Sequence, residues 1–284
     1  MTEKGYAKLN ISLDVSKPRS DGYHDMTMVM QDVSLCDTVN VELRDDNIRT
    51  AKTNLRFLPS GEKNLAVKAA NVYLEAIGEN TGFEITIDKH IPVGAGMAGG
   101  STDAAATLRA MNRIFKERLS KEELIKLSEK VGSDVPYCTM GGTALAEGRG
   151  EILTPLKSMP DCTFLICKPD FAVSTPELFK AIDSVKLKTH PDTQGILEAL
   201  ELGDLKGICR RLYNVFEDVN DRRLKVVSEI KSKLLQGGAL GAVMTGTGSA
   251  VFGIFEDEVA PEELRKNLEK EYGFAVTAKK AESD

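Results

Sequence analysis

Apolar Ala7, Leu9, Ile11, Leu13 and Val15 alternate with polar Lys8, Asn10, Ser12 and Asp14, the period-two pattern of a half-buried strand. By alternation alone, the face carrying Lys8 and Asn10 reads as a solvent-facing polar edge. A turn cluster over residues 17–22 follows, then strand-like segments at 26–35 and 38–43. Residues 64–77 predict an amphipathic helix, with Leu65, Ala69, Val72, Tyr73 and Ala76 on one face and Gly78 as its stop. Phe83, Ile85 and Ile87 alternate as a strand that leads into a glycine-rich stretch. Beyond it, residues 101–115 predict a helix with Ala104, Leu108, Met111 and Phe115 on one stripe. Ser120 and Glu123 are spaced as a capping box for the next helix. Gly132-Ser-Asp-Val-Pro136 reads as a turn into a short helix, with Asp134 at the N-cap position.

The second half predicts a strand at 162–167, helices over 193–214 and 222–236, and a stop at Gly237-Gly238. Strands are expected near Ala242 and Val251, then a helix opened by Pro261 and a strand at 274–278. Strands and helices mixed without regular βαβ spacing indicate an α+β fold rather than a doubly wound sheet. Gly141-Gly142 and the loop Glu147-Gly-Arg-Gly-Glu151 suggest a domain boundary near 150–160, giving domains 1–155 and 156–284. No internal repeat is visible.

The stretch from Ile91 to Ala105 holds four glycines in seven positions, Gly94, Gly96, Gly99 and Gly100, after a strand and directly before an alanine-rich helix. Missing Cβ atoms let backbone N–H groups approach a ligand, and the helix N-terminus adds free donors and partial positive charge. Such a junction suits an anion, most often phosphate. Gly94-x-Gly96-x-x-Gly99 satisfies the dinucleotide pattern, but the second strand with a terminal acidic residue is replaced by the helical run at 116–126. A P-loop needs lysine after its last glycine, and here Ser101 follows Gly100. The protein kinase signatures are also absent. A nucleotide-dependent phosphotransferase is the reading that remains, beside a tight strand-to-helix turn with no ligand.

Composition narrows the field without deciding it. Across 284 residues, 42% hydrophobic and 28% charged content is that of an ordinary globular protein. Lys+Arg 37 against Asp+Glu 43 leaves a net charge of −6, which argues against a general nucleic-acid or anionic-membrane surface. An anionic substrate needs a local basic pocket. No apolar run approaches the roughly 18–20 residues of a membrane span, and the start lacks a secretion-signal core. Five scattered cysteines without a Cys-x-x-Cys pair make disulfides and zinc unexpected and fit a reducing cytoplasm.

Five patches then carry a resemblance: Ala7-Lys-Leu-Asn10, Asp21-Gly-Tyr-His24, the loop from Pro92 to Ala105, Gly132-Ser-Asp-Val-Pro136 and Met244-Thr-Gly-Thr-Gly248. Their order and spacing resemble those of the GHMP kinases, over nearly the whole chain. Within that superfamily, Asp-Gly-Tyr-His after the Lys-x-Asn strand is similar to the branch acting on a cytidine-diphosphate-linked methylerythritol. The resemblance implies a two-domain α+β fold: an N-terminal domain like ribosomal S5 domain 2, which binds ATP, and a ferredoxin-like C-terminal domain on the substrate side. It implies transfer from ATP, with Mg²⁺, to the 2-hydroxyl of that small molecule in isoprenoid precursor synthesis.

By matched position, Asp134 is the expected catalytic aspartate and Lys8 the lysine beside it. Asn10, Tyr23 and His24 match residues that hold the cytidine end, and Thr175 and Phe179 a threonine and an aromatic that closes over the cytosine. Asn64 and Lys89 match positions near the adenine. Pro92, Gly94, Gly96, Gly99, Gly100, Ser101 and Thr102 match the phosphate cradle, and Ser101 or Thr102 could touch the metal. The chain departs from the family pattern at Met97 and Ala98, at Val215 after Asn214, and at Thr245 and Thr247. Alanine at 98 fits a glycine position without strain only if its φ is negative. Another small-molecule kinase of the superfamily, for homoserine or a sugar alcohol, and a non-catalytic nucleotide-binding protein of the same fold are the alternatives. Neither nucleic acid nor membrane is an expected partner, and monomer and homodimer both stay open.

Overall fold

The computed structural model describes residues 1–20, 22–219, 222–256 and 262–282. Asp21 of the Asp-Gly-Tyr-His patch and Pro261, expected to open the last helix, lie outside them.

In chain order the elements are β1 (Thr2–Pro18), β2 (His24–Arg44), β3 (Arg49–Thr53), α1 (Leu65–Ile77), β4 (Gly82–Asp88), α2 (Gly99–Ile114), α3 (Lys121–Ser128) and α4 (Val135–Met140). They continue as β5 (Thr143–Gly148), β6 (Ile152–Pro155), β7 (Thr163–Lys168), α5 (Thr175–Ile182), α6 (Thr193–Leu202), α7 (Leu205–Cys209) and β8 (Tyr213–Asn214). The last are α8 (Leu224–Gln236), β9 (Gly241–Met244), β10 (Val251–Phe255), α9 (Glu262–Tyr272) and β11 (Phe274–Ala278).

Local signals place several helix ends as expected. Asn64 caps α1, its side chain accepting from the Ala66 N–H at 3.0 Å, and Gly78 closes it in the left-handed region at φ 70°. The Ser120–Glu123 capping box at the start of α3 is present in both directions.

Other expectations are corrected. The segments 26–35 and 38–43 are one strand, β2. Asp37, a poor strand former, continues it because its carboxylate is fully buried and accepts the His90 and Ile91 N–H groups at 2.6 and 2.8 Å. The helix expected over 193–214 breaks into α6, α7 and β8. Gly203 ends α6 at φ 67°, and Asp204 restarts the chain by capping the Gly207 N–H at 2.9 Å. The polar face of β1 is not a solvent edge: Lys8 is 4% exposed, and Asn10 and Ser12 are fully buried. Neither β3 nor α5 stood out in the pattern.

The chain forms two compact units. One comprises Met1–Ala7, Leu35–Ile91 and Ala98–Gly141. In it β4 runs between β3, parallel, and the second half of β2, antiparallel. Val39, Val41, Phe83, Ile85 and Ile87 pack with Tyr73 and Leu74 of α1, Leu108 and Met111 of α2, and Leu124 and Val135 from α3 and α4. The other unit comprises Lys8–Ser34, Pro92–Met97 and Gly142–Asp284. Here Met26–Gln31 of β2 pair with β5, β5 pairs with β6, and β8 lies parallel to β1 at Ser12 and Leu13. A separate antiparallel sheet has the order β11-β7-β10-β9. With α8 before β9 and α9 before β11, it has the βαββαβ arrangement of a ferredoxin-like layer. No helix among the described residues is long and apolar enough to cross a membrane.

Candidate active site

In the unit containing α2, the glycine stretch delivers a helix start without a side-chain cap. Ala98 occupies the N-cap position at φ 59°, in the left-handed region, and no side chain caps the helix. The condition for a strain-free alanine, a negative φ at position 98, is therefore not met. The Ser101 and Thr102 N–H groups both donate to the Ala98 carbonyl, at 2.8 and 2.9 Å. Ahead of them, the Gly99 and Gly100 N–H groups donate to nothing among the described residues. Two aligned free donors at a helix N-terminus form a site for anionic oxygen.

The Thr102 hydroxyl is buried and donates to the Gly99 carbonyl at 2.8 Å. Ser101 is half-buried, and its hydroxyl has no recorded partner among the described residues. Asn64 lies at the start of α1, its oxygen capping the helix and its amide donating to the Pro59 carbonyl at 2.9 Å. A Cβ on Gly100 would meet only Leu65, at 3.6 Å. Asp134 stands at the start of α4, half-buried, without the side-chain cap bond that would explain its presence structurally.

Lys89 is buried, and its ammonium lies between two carboxylates, Asp37 and Asp103, the latter at 2.7 Å. Asp37 Oδ1 accepts the His90 and Ile91 N–H groups, so the triad ties the chain before the glycine stretch to the second turn of α2. The second oxygen of Asp103 is buried without a partner. Burial pushes the Asp103 carboxyl up to about 7, against the lowering effect of Lys89 and with Asp37 adding to the rise. Spacing gave no hint of this triad, because its members come from β2, the end of β4 and α2.

In the other unit, Lys8 and Asn10 follow each other on one face of β1, as the alternation requires. Lys8 Nζ donates to Asn10 Oδ1 at 2.5 Å, and no carboxylate pairs with Lys8 among the described residues. Asn10 Oδ1 also accepts the Gly246 N–H at 3.0 Å, and the Asn10 N–H donates to Thr245 Oγ1 at 3.1 Å. This leaves the Asn10 side-chain amide buried with both donors unused. A buried cation and an unsatisfied buried donor are both costly unless an acceptor completes them. Ser12 Oγ, next on the same face, is likewise buried and unpartnered.

Loop 245–248 and the first part of the glycine stretch meet backbone to backbone. A Cβ on Gly96, at φ 75°, would lie 2.1 Å from the Thr245 carbonyl oxygen. Gly96 is thus a close-approach glycine between two loops. Pro92 and Gly94 lie in the same stretch, half-buried and exposed respectively. Asn214 holds the second loop by donating to the Met244 and Gly246 carbonyls, both at 2.8 Å, while Val215 is buried.

Of the other residues expected to hold the cytidine end, all in this unit, His24 and Phe179 are in ring contact. His24 is buried at the start of β2, its ring 5.2 Å from that of Phe179, which in turn meets Phe216 edge-on at 5.0 Å. His24 Nε2 lies 2.7 Å from Asp183 Oδ1. Thr175, at the first turn of α5, hydrogen-bonds Thr247 at 2.8 Å. Tyr23 is 53% exposed with the Arg149 guanidinium 5.1 Å from its ring centre. The contacts of Asp183, Ser12, Asp37 and Asp103 in these clusters had no signal in the sequence.

The glycine stretch, α2 and α4 fall within residues 64–142, which match the GHMP kinases N terminal domain, and residues 196–273 match the GHMP kinases C terminal domain. The chain belongs to the GHMP kinase family. A 4-diphosphocytidyl-2-C-methyl-D-erythritol kinase of Clostridium botulinum (strain Alaska E43 / Type E3) is 43% identical, the match covering 96% of this chain and 97% of that one. One of the same name from Caldicellulosiruptor saccharolyticus is 44% identical, over 91% of this chain and 89% of that one. Among solved structures, a 4-(cytidine 5'-diphospho)-2C-methyl-D-erythritol kinase superposes with a TM-score of 0.82 at 31% identity, covering all of both chains. The α+β, two-part GHMP kinase fold expected from the five patches is the fold found, with the ferredoxin-like sheet order in its C-terminal part.

Proposed function

We propose that this GHMP kinase transfers the γ-phosphoryl group of ATP to the 2-hydroxyl of 4-diphosphocytidyl-2-C-methyl-D-erythritol. The observation that carries the phosphotransfer reading is the start of α2, where the Gly99 and Gly100 N–H groups are free and no side chain caps the helix. Phosphoryl transfer needs little covalent help from the protein. It needs alignment of the acceptor oxygen with the γ-phosphorus and neutralisation of spread negative charge. The two N–H groups, with the helix dipole behind them, serve the phosphates of ATP. Asp134, not engaged as a cap, accepts or orients the proton of the attacking hydroxyl. Lys8, buried with only a neutral partner in its unit, supplies positive charge for the transferring group.

Magnesium would neutralise charge on the β- and γ-phosphates. The Ser101 hydroxyl fits a role in holding it, whereas the Thr102 hydroxyl already donates to Gly99. The Asn10 amide, buried and unsatisfied, offers two donors to the acceptor substrate. His24 and Phe179 hold its cytosine, with Tyr23 and Thr175 contributing from the same unit. Asn64, Lys89 and Pro92 flank the nucleotide. The division into an ATP-binding part, 1–155, and a substrate-side part, 156–284, belongs to the same proposal.

The test is ADP release from Mg-ATP with the cytidylyl substrate, beside homoserine, mevalonate and galactose. Turnover confined to the cytidylyl substrate is expected. Turnover on another alcohol would keep the kinase and discard the substrate. ATP binding without turnover on any of the four would favour a non-catalytic nucleotide-binding protein.

A further inference from the structure

Asp183 has no part in the reading above, yet it makes a short polar contact with the buried side chain of the cytidine cluster. We infer that Asp183 is a positioning residue: it fixes the proton of His24 on Nε2 and thereby makes the ring select cytosine over uracil. The inference rests on the cytidylyl reading of the acceptor.

Three observations support it. His24 Nε2 lies 2.7 Å from Asp183 Oδ1, and an ionised carboxylate only accepts, so Nε2 is the donor. In the neutral ring Nδ1 is then an acceptor, and it has no hydrogen-bond partner among the described residues. Finally, Asp183 and Phe179 lie four positions apart, one turn along α5 and its C-cap, so one helix sends both a ring and a carboxylate to His24. Phe179 is itself backed by Phe216, which limits rotation of the imidazole.

The chemistry of the two bases does the rest. Cytosine presents an amine donor at C4, whereas uracil presents a carbonyl acceptor there. An acceptor Nδ1 pairs with the amine and repels the carbonyl. With the proton on Nδ1 the preference would reverse. A carboxylate at Nε2 excludes that second state, and an amide in its place does not, because an amide can donate as well as accept.

The experiment compares kcat/KM for the cytidylyl acceptor and its uridylyl analogue in the wild type, Asp183→Asn, Asp183→Ala and Asp183→Glu. The wild type is expected to prefer the cytidylyl acceptor by about 10- to 100-fold, the range of one well-placed base-edge contact. In Asp183→Asn and Asp183→Ala the preference should fall by about tenfold through the KM of the acceptor, with the KM for ATP unmoved. Asp183→Glu should recover part of it. Nitrogen-15 NMR of the His24 ring in the unliganded protein should show Nε2 protonated and Nδ1 bare in the wild type, and a mixture in Asp183→Asn. A wild-type ring protonated on Nδ1, or an unchanged base preference in folded Asp183→Asn and Asp183→Ala, would overturn the inference. If the wild type turns over neither acceptor, the substrate reading fails, and the ring spectra still decide whether Asp183 sets the tautomer.

Discussion

Ala98 is the residue at which this chain departs from the glycine pattern of its family, and its left-handed φ of 59° gives the departure a cost. An L-residue in that region costs roughly 1–2 kcal/mol, and glycine there loses about 0.5–1 kcal/mol of backbone entropy. Ala98→Gly is therefore expected to stabilise the protein by about 0.5–1 kcal/mol, read from denaturant midpoints at constant slope. No gain would mean that the start of α2 tolerates the alanine without strain. Asp134 is the other residue whose role can be isolated. Its carboxylate caps nothing, so Asp134→Asn should fold normally, bind ATP and lose about 10²- to 10⁴-fold in turnover. Normal turnover in that variant would remove Asp134 from the chemistry. Both residues stood out in the sequence, one by breaking a glycine run and one by its place in Gly-Ser-Asp-Val-Pro. What the sequence did not disclose was the φ of Ala98 or the idle side chain of Asp134, since both depend on how the neighbouring turns pack.

Among the elements, α2 is the one tied down most deliberately. Its first turn is free toward an anion, while its second turn is held through Asp103 by Lys89 and Asp37. The Asp103 carboxyl, pushed up to about 7 chiefly by burial, has a folded-state pKa above its unfolded value near 3.9. Between about pH 4 and about pH 7 the folded chain therefore holds a proton that the unfolded chain has lost. The contribution of this group to stability falls as pH rises through that window. Asp103→Asn should remove the falling component, seen as a smaller difference between denaturant midpoints measured at about pH 5 and about pH 7. A variant with the wild-type slope would show that Asp103 is ionised throughout. Helix ends such as Asn64, Gly78 and Ser120 were legible, because a cap is decided within four residues. The triad was not, because β2, β4 and α2 bring its members together only on folding.

For the molecule as a whole, a net charge of −6 means that two polyanionic substrates gain no help from the global field. On the proposed reading, binding comes from local groups: the α2 N-terminus, Lys8 and the Asn10 amide as donors, with the His24 ring accepting from the base. Cytidine diphosphate without ATP is therefore expected to stabilise the protein, by about 2.7 kcal/mol at 100 times its Kd, with homoserine leaving the melting temperature unchanged. Equal shifts from uridine and cytidine diphosphates would show that only the phosphates are read.

The sequence by itself determined the class of fold, the strand alternation of β1, several helix ends and the family, because periodicity, caps and family patches are properties of short stretches. Tertiary structure alone decided what covers each face. Alternation placed Lys8, Asn10 and Ser12 together, yet only folding buried them and left donors waiting for a ligand. The same holds for His24 with Asp183, Gly96 against Thr245, and Asp37 with Lys89 and Asp103. These partners are far apart along the chain, and the burial that makes each contact matter exists only once the core has closed.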